Sequence, residues 1–283
     1  MQLLFLIFSL LFVNCLQASR YGSPHLHPRS HDPFIVIAIP KCGTHLLTNT
    51  ITQLLRIHCD EGWDNLNPDD QSHLDGYYEA LLGLKNESFI HKTVLPYTPK
   101  LQSVLEKANF RWLFLLRDPR DAIVSLLFYM ERMSSDKRDF MTIESDNYDR
   151  LNLDEKLTAL ISGQYCSNFL LEIYKPSIGW CDQPPGLTVR FEDLIAVDDK
   201  QRQLDTLTQI VAYVGVTMSA NEIKEAAPRC YCPESPQYVD GAMYQRGQAN
   251  SWKFFFTYEH KELFKQIFGA ELIQLGYEQD YAW

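Results

Sequence analysis

The chain has 283 residues, with 26 Lys+Arg against 36 Asp+Glu, a formal charge of −10 at pH 7. At 46% apolar residues, including 16 Phe and 15 Tyr, it can bury a sizeable core, which excludes a disordered chain and a collagen-like or low-complexity polymer. The acidic balance argues against nucleic acid as a partner, because that needs a basic surface, but leaves room for a local basic pocket that holds a small anion.

The first element is an apolar run from Leu3 to Val13, broken only by Ser9. Its helical length would be about 16 Å, roughly half a bilayer core. That suits the apolar region of a secretory signal, with Leu16-Gln17-Ala18 offering a small residue for cleavage, although no Lys or Arg precedes it. Residues 1–18 are therefore expected to be a signal peptide or a short membrane anchor, attaching the protein through residues 3–18 in the second case. The expected location is the secretory pathway or outside the cell, rather than the cytoplasm. Residues 19–33, with three Pro and with His25, His27 and His31, read as a solvated linker in preference to a metal tract.

Seven Cys are present, and Cys15 would leave with a signal peptide. The six that remain, Cys42, Cys59, Cys166, Cys181, Cys230 and Cys232, permit disulfides in a secretory context but show no zinc-site spacing, so no metal is expected. Asn86-Glu87-Ser88 is a glycosylation sequon.

Phe34 to Ile39 is a β-branched run that reads as a buried parallel strand. Pro40 to Gly43 breaks it, and a helix follows with Leu47, Ile51, Leu54/Leu55 and His58 on one face. Cys59 to Gly76 is acidic and loop-rich. A short helix over 77–84 leads to a second strand, 89–95, then a helix over 99–108. The third strand, Arg111 to Leu116, ends at Asp118-Pro119, and a helix over 120–133 follows. Residues 134–150 are polar. A helix over 153–174, a fourth strand over 186–191, a helix over 200–214, a long loop over 228–250 and a last helix over 258–268 complete the chain.

Strands alternating with helices imply βαβ units. The expected fold is a single α/β domain over 34–283, with a P-loop-like central parallel sheet flanked by helices on both faces. Ligands in such sheets bind beyond the carboxyl ends of the strands. Pro40–His45, Arg117–Arg120 and Phe191–Asp193 all fall there, so the most unusual peptides converge on one rim.

The peptide Pro40-Lys-Cys-Gly-Thr-His45 joins a buried strand to a helix N-terminus, where free amides and the positive end of the helix dipole form an anion site. Gly43 lets the backbone approach an oxyanion, Lys41 adds a charge, and Thr44 and His45 add donors; a tight turn with a solvated Lys is the plainer alternative. It is not a Walker A loop, since Lys41 precedes the single Gly43. Arg117, at the end of the third strand, can supply a second anion site with a planar fork of donors. Arg120 and Asp121 read more simply as helix-start residues, and the Glu192-Asp193 pair more simply as a cap than as a catalytic dyad. Trp252 suits packing and ligand contact equally.

Taken together, these peptides resemble the sulfotransferase family. Pro40, Lys41, Gly43 and Thr44 match its 5′-phosphosulfate loop, with Cys42 in place of Ser and His45 in place of the second Thr. Leu116 to Ser125 is similar to its 3′-phosphate segment, with Arg117 and Ser125 at the phosphate-binding positions. Val189 to Leu194 resembles its Tyr-Glu-Asp-Leu segment, with Phe191 for Tyr. Gln245-Arg246-Gly247 through Lys253 resembles its Arg-Lys-Gly segment. These motifs lie closest to the cytosolic-type branch.

The resemblance implies transfer of a sulfuryl group from 3′-phosphoadenosine 5′-phosphosulfate (PAPS) to an acceptor hydroxyl or amine, releasing 3′-phosphoadenosine 5′-phosphate (PAP). It implies nucleotide contacts from Lys41, Cys42, Gly43, Thr44, His45, Arg117, Ser125, Phe191, Arg246 and Gly247, and catalytic roles for Lys41 and Lys92. Two separate anion cradles, around Lys41 and Arg117, would grip opposite ends of the nucleotide. Where the cytosolic branch places its basic His, this chain has Val94. The alternatives are therefore His45, His91 (which needs a bulge to reach the face of Lys92), Asp60 or Glu61 as the base, or no base at all. The acceptor is either a small molecule, which suits the acidic rim, or a glycan, which suits a lumenal site. A nucleotide-binding pseudoenzyme acting through partners and, less favoured, a P-loop kinase are the competing readings.

Overall fold

The structure, a computed structural model, describes residues 31–61, 71–83, 88–93, 95–132, 145–196, 199–230 and 248–283. Five strands form one sheet: β1 (Phe34–Ala38), β2 (His58–Glu61), β3 (Ser88–Thr93), β4 (Arg111–Leu116) and β5 (Leu187–Arg190). Their order is β2-β3-β1-β4-β5, and every pairing is parallel. The central position of β1 follows from its composition, because every residue of Phe-Ile-Val-Ile-Ala is buried, as a strand covered on both faces requires.

The helices are α1 (Thr44–Leu55), α2 (Gln71–Gly83), α3 (Pro99–Lys107), α4 (Pro119–Arg132), α5 (Leu153–Ser162), α6 (Lys200–Tyr213), α7 (Ala220–Cys230) and α8 (Tyr258–Gln274), with shorter turns between them. The chain leaves β1 toward one edge to build β2, then runs β3, β4 and β5 toward the other. Right-handed crossovers put helices that run in opposite directions on opposite faces. Accordingly α1 packs on α7 and α7 on α6, while α2 touches α3, α4 touches α5 and α5 touches α8. The loops after β1 and β4 diverge between these neighbouring strands. That switch point is where an open parallel sheet leaves a ligand crevice beyond its carboxyl ends.

The sheet has one more strand than the sequence indicates. His58 was expected on the face of the first helix, but α1 stops at Leu55 with Arg56 in the left-handed region, φ 59°. Residues His58 to Glu61 then pair with β3, in the register His58↔Ser88 to Glu61↔His91. His-Cys-Asp-Glu carries no β-branched run, so this edge strand is imposed by its partner's backbone rather than by local preference. The expected helix over 153–174 is also interrupted. Gly163 (φ 76°) ends α5, and Asn168 caps a separate π-helical turn, Phe169–Tyr174. Helix α7 was not anticipated, and it continues to Cys230, so residues 228–230 are helical where a loop was expected. Helix α8 continues past 268 to Gln274.

Residues 31–33, expected to close the linker, are docked on the domain. The Asp32 amide donates to the Val214 carbonyl at 2.9 Å and the Arg111 amide to the Pro33 carbonyl at 3.0 Å. Among the described residues, no helix is long and apolar enough to cross a membrane.

The turn from β1 into α1 depends on Gly43, whose φ of 101° disfavours any side chain. A Cβ there would stand 2.5 Å from Cδ2 of Phe191. Gly43→Ala is expected to destabilise the protein by about 1–3 kcal/mol, from strain and from the forced shift of the ring. Urea denaturation checks this, and an unchanged midpoint would show that the loop has room to spare.

Candidate active site

The site is built on the two diverging loops. After β1 the chain turns sharply, with Lys41 at φ 67° and Gly43 at φ 101°. Gly43 caps α1 without a side-chain hydrogen bond, so the first-turn amides of Thr44, His45 and Leu46 keep donors that no helical carbonyl can take. The positive end of the helix dipole adds to them. Thr44 is buried at the first helical position, whereas His45 is solvent-accessible.

Cys42 was expected among the nucleotide contacts, but the structure turns it inward. Its side chain is fully buried, its amide donates to the Ile39 carbonyl at 3.1 Å, and desolvation pushes its thiol up to about 12. It therefore anchors the loop and offers neither a donor nor a thiolate.

The Lys41 ammonium lies 4.0 Å from the centre of the Tyr129 ring, a cation–π contact. Desolvation, then the positive charges of Arg117 and Arg132, lower its pKa to about 8. His45 is the second residue of α1 and lies close enough to feel the Lys41 charge. Its ring touches water, yet protein surrounds it on most sides. Desolvation, followed by the charge of Lys41, lowers its pKa below the ordinary imidazole value. Ser125 lies one helical turn before Tyr129 on α4 and is partly exposed, so it faces the Lys41 side of that helix.

Arg117, which follows β4, is 5% exposed. Its Nη1 donates to the Lys41 carbonyl at 2.8 Å and its Nη2 to the Gln248 carbonyl at 3.3 Å. Its guanidinium lies 4.2 Å from the centre of the Phe191 ring, and its own carbonyl accepts from the Tyr174 hydroxyl. The Nε is buried without a hydrogen-bond partner among the described residues. Two of five guanidinium N–H donors are thus committed, and the remainder suit an anion. The Lys41 and Arg117 cradles were expected to be separate. Instead they are directly joined, because Arg117 bonds the backbone of the Lys41 loop.

Phe191, expected to touch the nucleotide, is 4% exposed and sits beneath Gly43 and Arg117. It is the platform of the site rather than its surface. Glu192 and Asp193 do not form a dyad. Glu192 accepts from the Asp118 amide at 2.8 Å and from the Tyr277 hydroxyl at 3.2 Å, while Asp193 pairs with Arg202 at 3.3 Å. Desolvation raises the Glu192 carboxyl to about 6.

Arg120 is a buried clamp. It bonds Asp118 at 2.7 Å, pairs with Glu278, and packs against the rings of Trp252 and Trp283, at 3.9 and 4.5 Å from their centres. Trp252 is therefore packing. Asp121 is fully buried and accepts from the Asn250 amide (2.7 Å), the Ser251 hydroxyl (2.8 Å) and the Trp252 amide (2.9 Å).

Among the candidate bases, His91 belongs to β3, next to Lys92. The β1–β3 ladder runs unbroken through Ile35↔Ile90, Val36↔His91, Ile37↔Lys92 and Ala38↔Thr93. The ladder carries no bulge at these positions. Lys92 belongs to β3 one step short of its end, and Asp60 and Glu61 end β2. Val94, Arg246 and Gly247 lie outside the described residues.

Two cavities of about 410 Å³ each lie near the rim, one walled by residues of 276–283 and one between Asp118, Glu192, Asn250 and Tyr277. Neither includes Lys41 or Arg117, and most charged groups of the second are already paired with one another.

A family model, the sulfotransferase domain, matches residues 31–276. The chain belongs to the sulfotransferase family. No curated protein matches its sequence. Among solved structures, mouse sulfotransferase SULT7A1 complexed with PAP is similar at 16% identity and a TM-score of 0.60, covering 85% of this chain and 84% of that one. Retinol dehydratase in a complex with retinol and PAP is similar at 16% identity and a TM-score of 0.55, covering 87% and 82%. The same enzyme with androsterone and inactive cofactor PAP gives 15%, 0.53, 84% and 80%. At these identities the likeness is one of fold.

Tyr129, Tyr174 and the anchoring role of Asp121 escaped the sequence reading of this sulfotransferase. Only Tyr129 left a signal, its spacing of four residues from Ser125 on a helix. Arg120→Ala would leave Asp118 buried without its partner, and should cost about 3–5 kcal/mol in chemical denaturation. A loss under about 1 kcal/mol would mean that the clamp is not structural.

Proposed function

We propose that this sulfotransferase moves a sulfuryl group from PAPS to an acceptor hydroxyl or amine, with the rim between Lys41 and Arg117 as its donor site. The observation that carries the reading is the joint between the two loops. Arg117 is held on the Lys41 carbonyl with a buried Nε left over, beside a helix N-terminus whose amides have no side-chain cap. A nucleotide with an anion at each end fits such a pair of donor sets. The fold neighbours that bind PAP support the assignment.

The chemistry then follows from the residues. The amides of Thr44, His45 and Leu46 bind the 5′-phosphosulfate end, and Arg117 with Ser125 binds the 3′-phosphate. Phe191 fixes the distance between the two by supporting both Gly43 and Arg117. Lys41, protonated, stabilises the negative charge that grows on the leaving phosphate oxygen as the sulfur–oxygen bond breaks. A preorganised donor of this kind is worth about 3–4 kcal/mol. His45, neutral near pH 7 because its pKa is lowered, takes the proton of the acceptor as its oxygen or nitrogen bonds to sulfur. Lys92 supports the transferring group from the end of β3.

The acceptor in this proposal is a small molecule, which the retinol and androsterone complexes of a fold neighbour support. The apolar run over residues 3–13 supports a lumenal or secreted enzyme, reached through a signal or anchor in residues 1–18. Glycan sulfation is the outcome that would shift the acceptor assignment.

Transfer of label from PAPS tests the whole reading. Lys41→Ala should lower kcat at least about 100-fold while leaving PAP binding within about tenfold. The pH profile of kcat/KM should be bell-shaped. Activity should rise as His45 loses its proton below the ordinary imidazole range and fall as Lys41 loses its own near pH 8. Undiminished turnover in Lys41→Ala would overturn the mechanism.

A further inference from the structure

The Arg117 guanidinium is the most exactingly placed cation in the rim. One N–H is fixed by the loop after β1 through the Lys41 carbonyl, and a second by the Gln248 carbonyl. Phe191 sets the plane of the fork from one face. The Lys41 and Phe191 supports both belong to strand ends of the sheet. Gln248 does not, since it belongs to a segment that reaches the rim from the C-terminal part of the chain.

What holds that segment is Asp121. Both carboxylate oxygens of this fully buried side chain are occupied. One accepts the Asn250 amide, and the other accepts the Ser251 hydroxyl and the Trp252 amide. Asn250 takes a left-handed turn, φ 63°, which aims its amide inward. Asp121 lies four residues after Arg117, in the first turn of α4. The helix that starts just beyond the guanidinium therefore also grips the strand of backbone whose carbonyl aims it. A bare helix-start role would leave the carboxylate on its own helix amides, and here it crosses to another segment instead.

We infer that Asp121 is a positioning residue for donor binding, setting the direction of Arg117 through the segment Gln248–Trp252. This inference rests on the reading of Arg117 as the 3′-phosphate ligand. Its action is indirect, because Asp121 touches neither the nucleotide nor the reacting atoms. It selects for nucleotides that carry a 3′-phosphate, since only those use the fork that it aims.

The test compares PAP with adenosine 5′-phosphate, which lacks the 3′ group, by calorimetry on the full chain. Asp121→Asn keeps the shape but turns an acceptor into a donor facing donors. It should weaken PAP at least about tenfold and adenosine 5′-phosphate less than about threefold. In the Arg117→Met background, Asp121→Asn should cost less than about twofold more, because the two act through one contact. Ser251→Ala, which removes one of the three bonds and spares the amides, should show the same selectivity in smaller measure, and serves if Asp121→Asn does not fold. Equal weakening of both nucleotides, or full additivity with Arg117→Met, would overturn the inference and reduce Asp121 to a fold anchor.

Exchange of the Arg117 Nε–H with water, read by NMR on the free protein, separates this failure from failure of the functional reading. If Asp121 orients the side chain, exchange should speed up at least about tenfold in both Asp121→Asn and Ser251→Ala, whether or not PAP binds. Unchanged exchange would contradict the inference even if PAP binds the wild-type protein.

Discussion

The hydrogen bond from Arg117 Nη1 to the Lys41 carbonyl, 2.8 Å long, joins the two halves of the site. It crosses the switch point of the sheet, where the chain leaves β1 toward one edge and β4 toward the other. Everything else at the rim adjusts to that bond. Gly43 must lack a side chain because Phe191 lies against it, and Phe191 lies there because its ring also supports the guanidinium. The Tyr174 hydroxyl holds the carbonyl of Arg117 from below. A guanidinium suits this place because it can keep two donors on backbone carbonyls and still present others, which an ammonium cannot do with the same planarity.

The second constraint is electrostatic. In a chain of charge −10, Lys41 sits where the charges of both Arg117 and Arg132 reach it. Crowding these charges in a partly desolvated place has a cost, visible in the lowered pKa of Lys41. A polyanionic nucleotide such as PAPS would relieve that cost on binding, since it supplies countercharge. Among the described residues, the acidic groups beside Arg117 are engaged elsewhere. Asp118 and Asp121 are committed to Arg120 and to the segment 250–252, and Glu192 is held by the Asp118 amide and by Tyr277. Those commitments leave the donors of Lys41 and Arg117 facing the rim, inside a protein of net negative charge.

The parts legible in the sequence are those where residue type and local structure agree. Phe34 to Ala38 and Arg111 to Leu116 could be read as buried strands, since nothing but a two-sided core accommodates such runs. The loop after β1 was legible through Gly43 and Lys41. The parts that were not legible depend on partners far along the chain. Strand β2 has a polar sequence and exists through pairing with β3. Cys42 and Phe191 occupy ligand positions in the family pattern, yet tertiary packing turns both inward. The pattern records which residues stand together, not which way they face. Asp121 looked like a helix-start residue because its partners, Asn250 to Trp252, lie 129 to 131 positions away.

The most direct test of the joined-rim account is a crystal structure of the full chain with PAP. The account predicts the 3′-phosphate on Arg117, taking its free Nε–H, and the 5′-phosphate on the amides of Thr44 to Leu46, with the Arg117–Lys41 bond intact. A nucleotide seated instead in the cavity between Asp118, Glu192 and Tyr277, or bound with Arg117 swung off the Lys41 carbonyl, would contradict it.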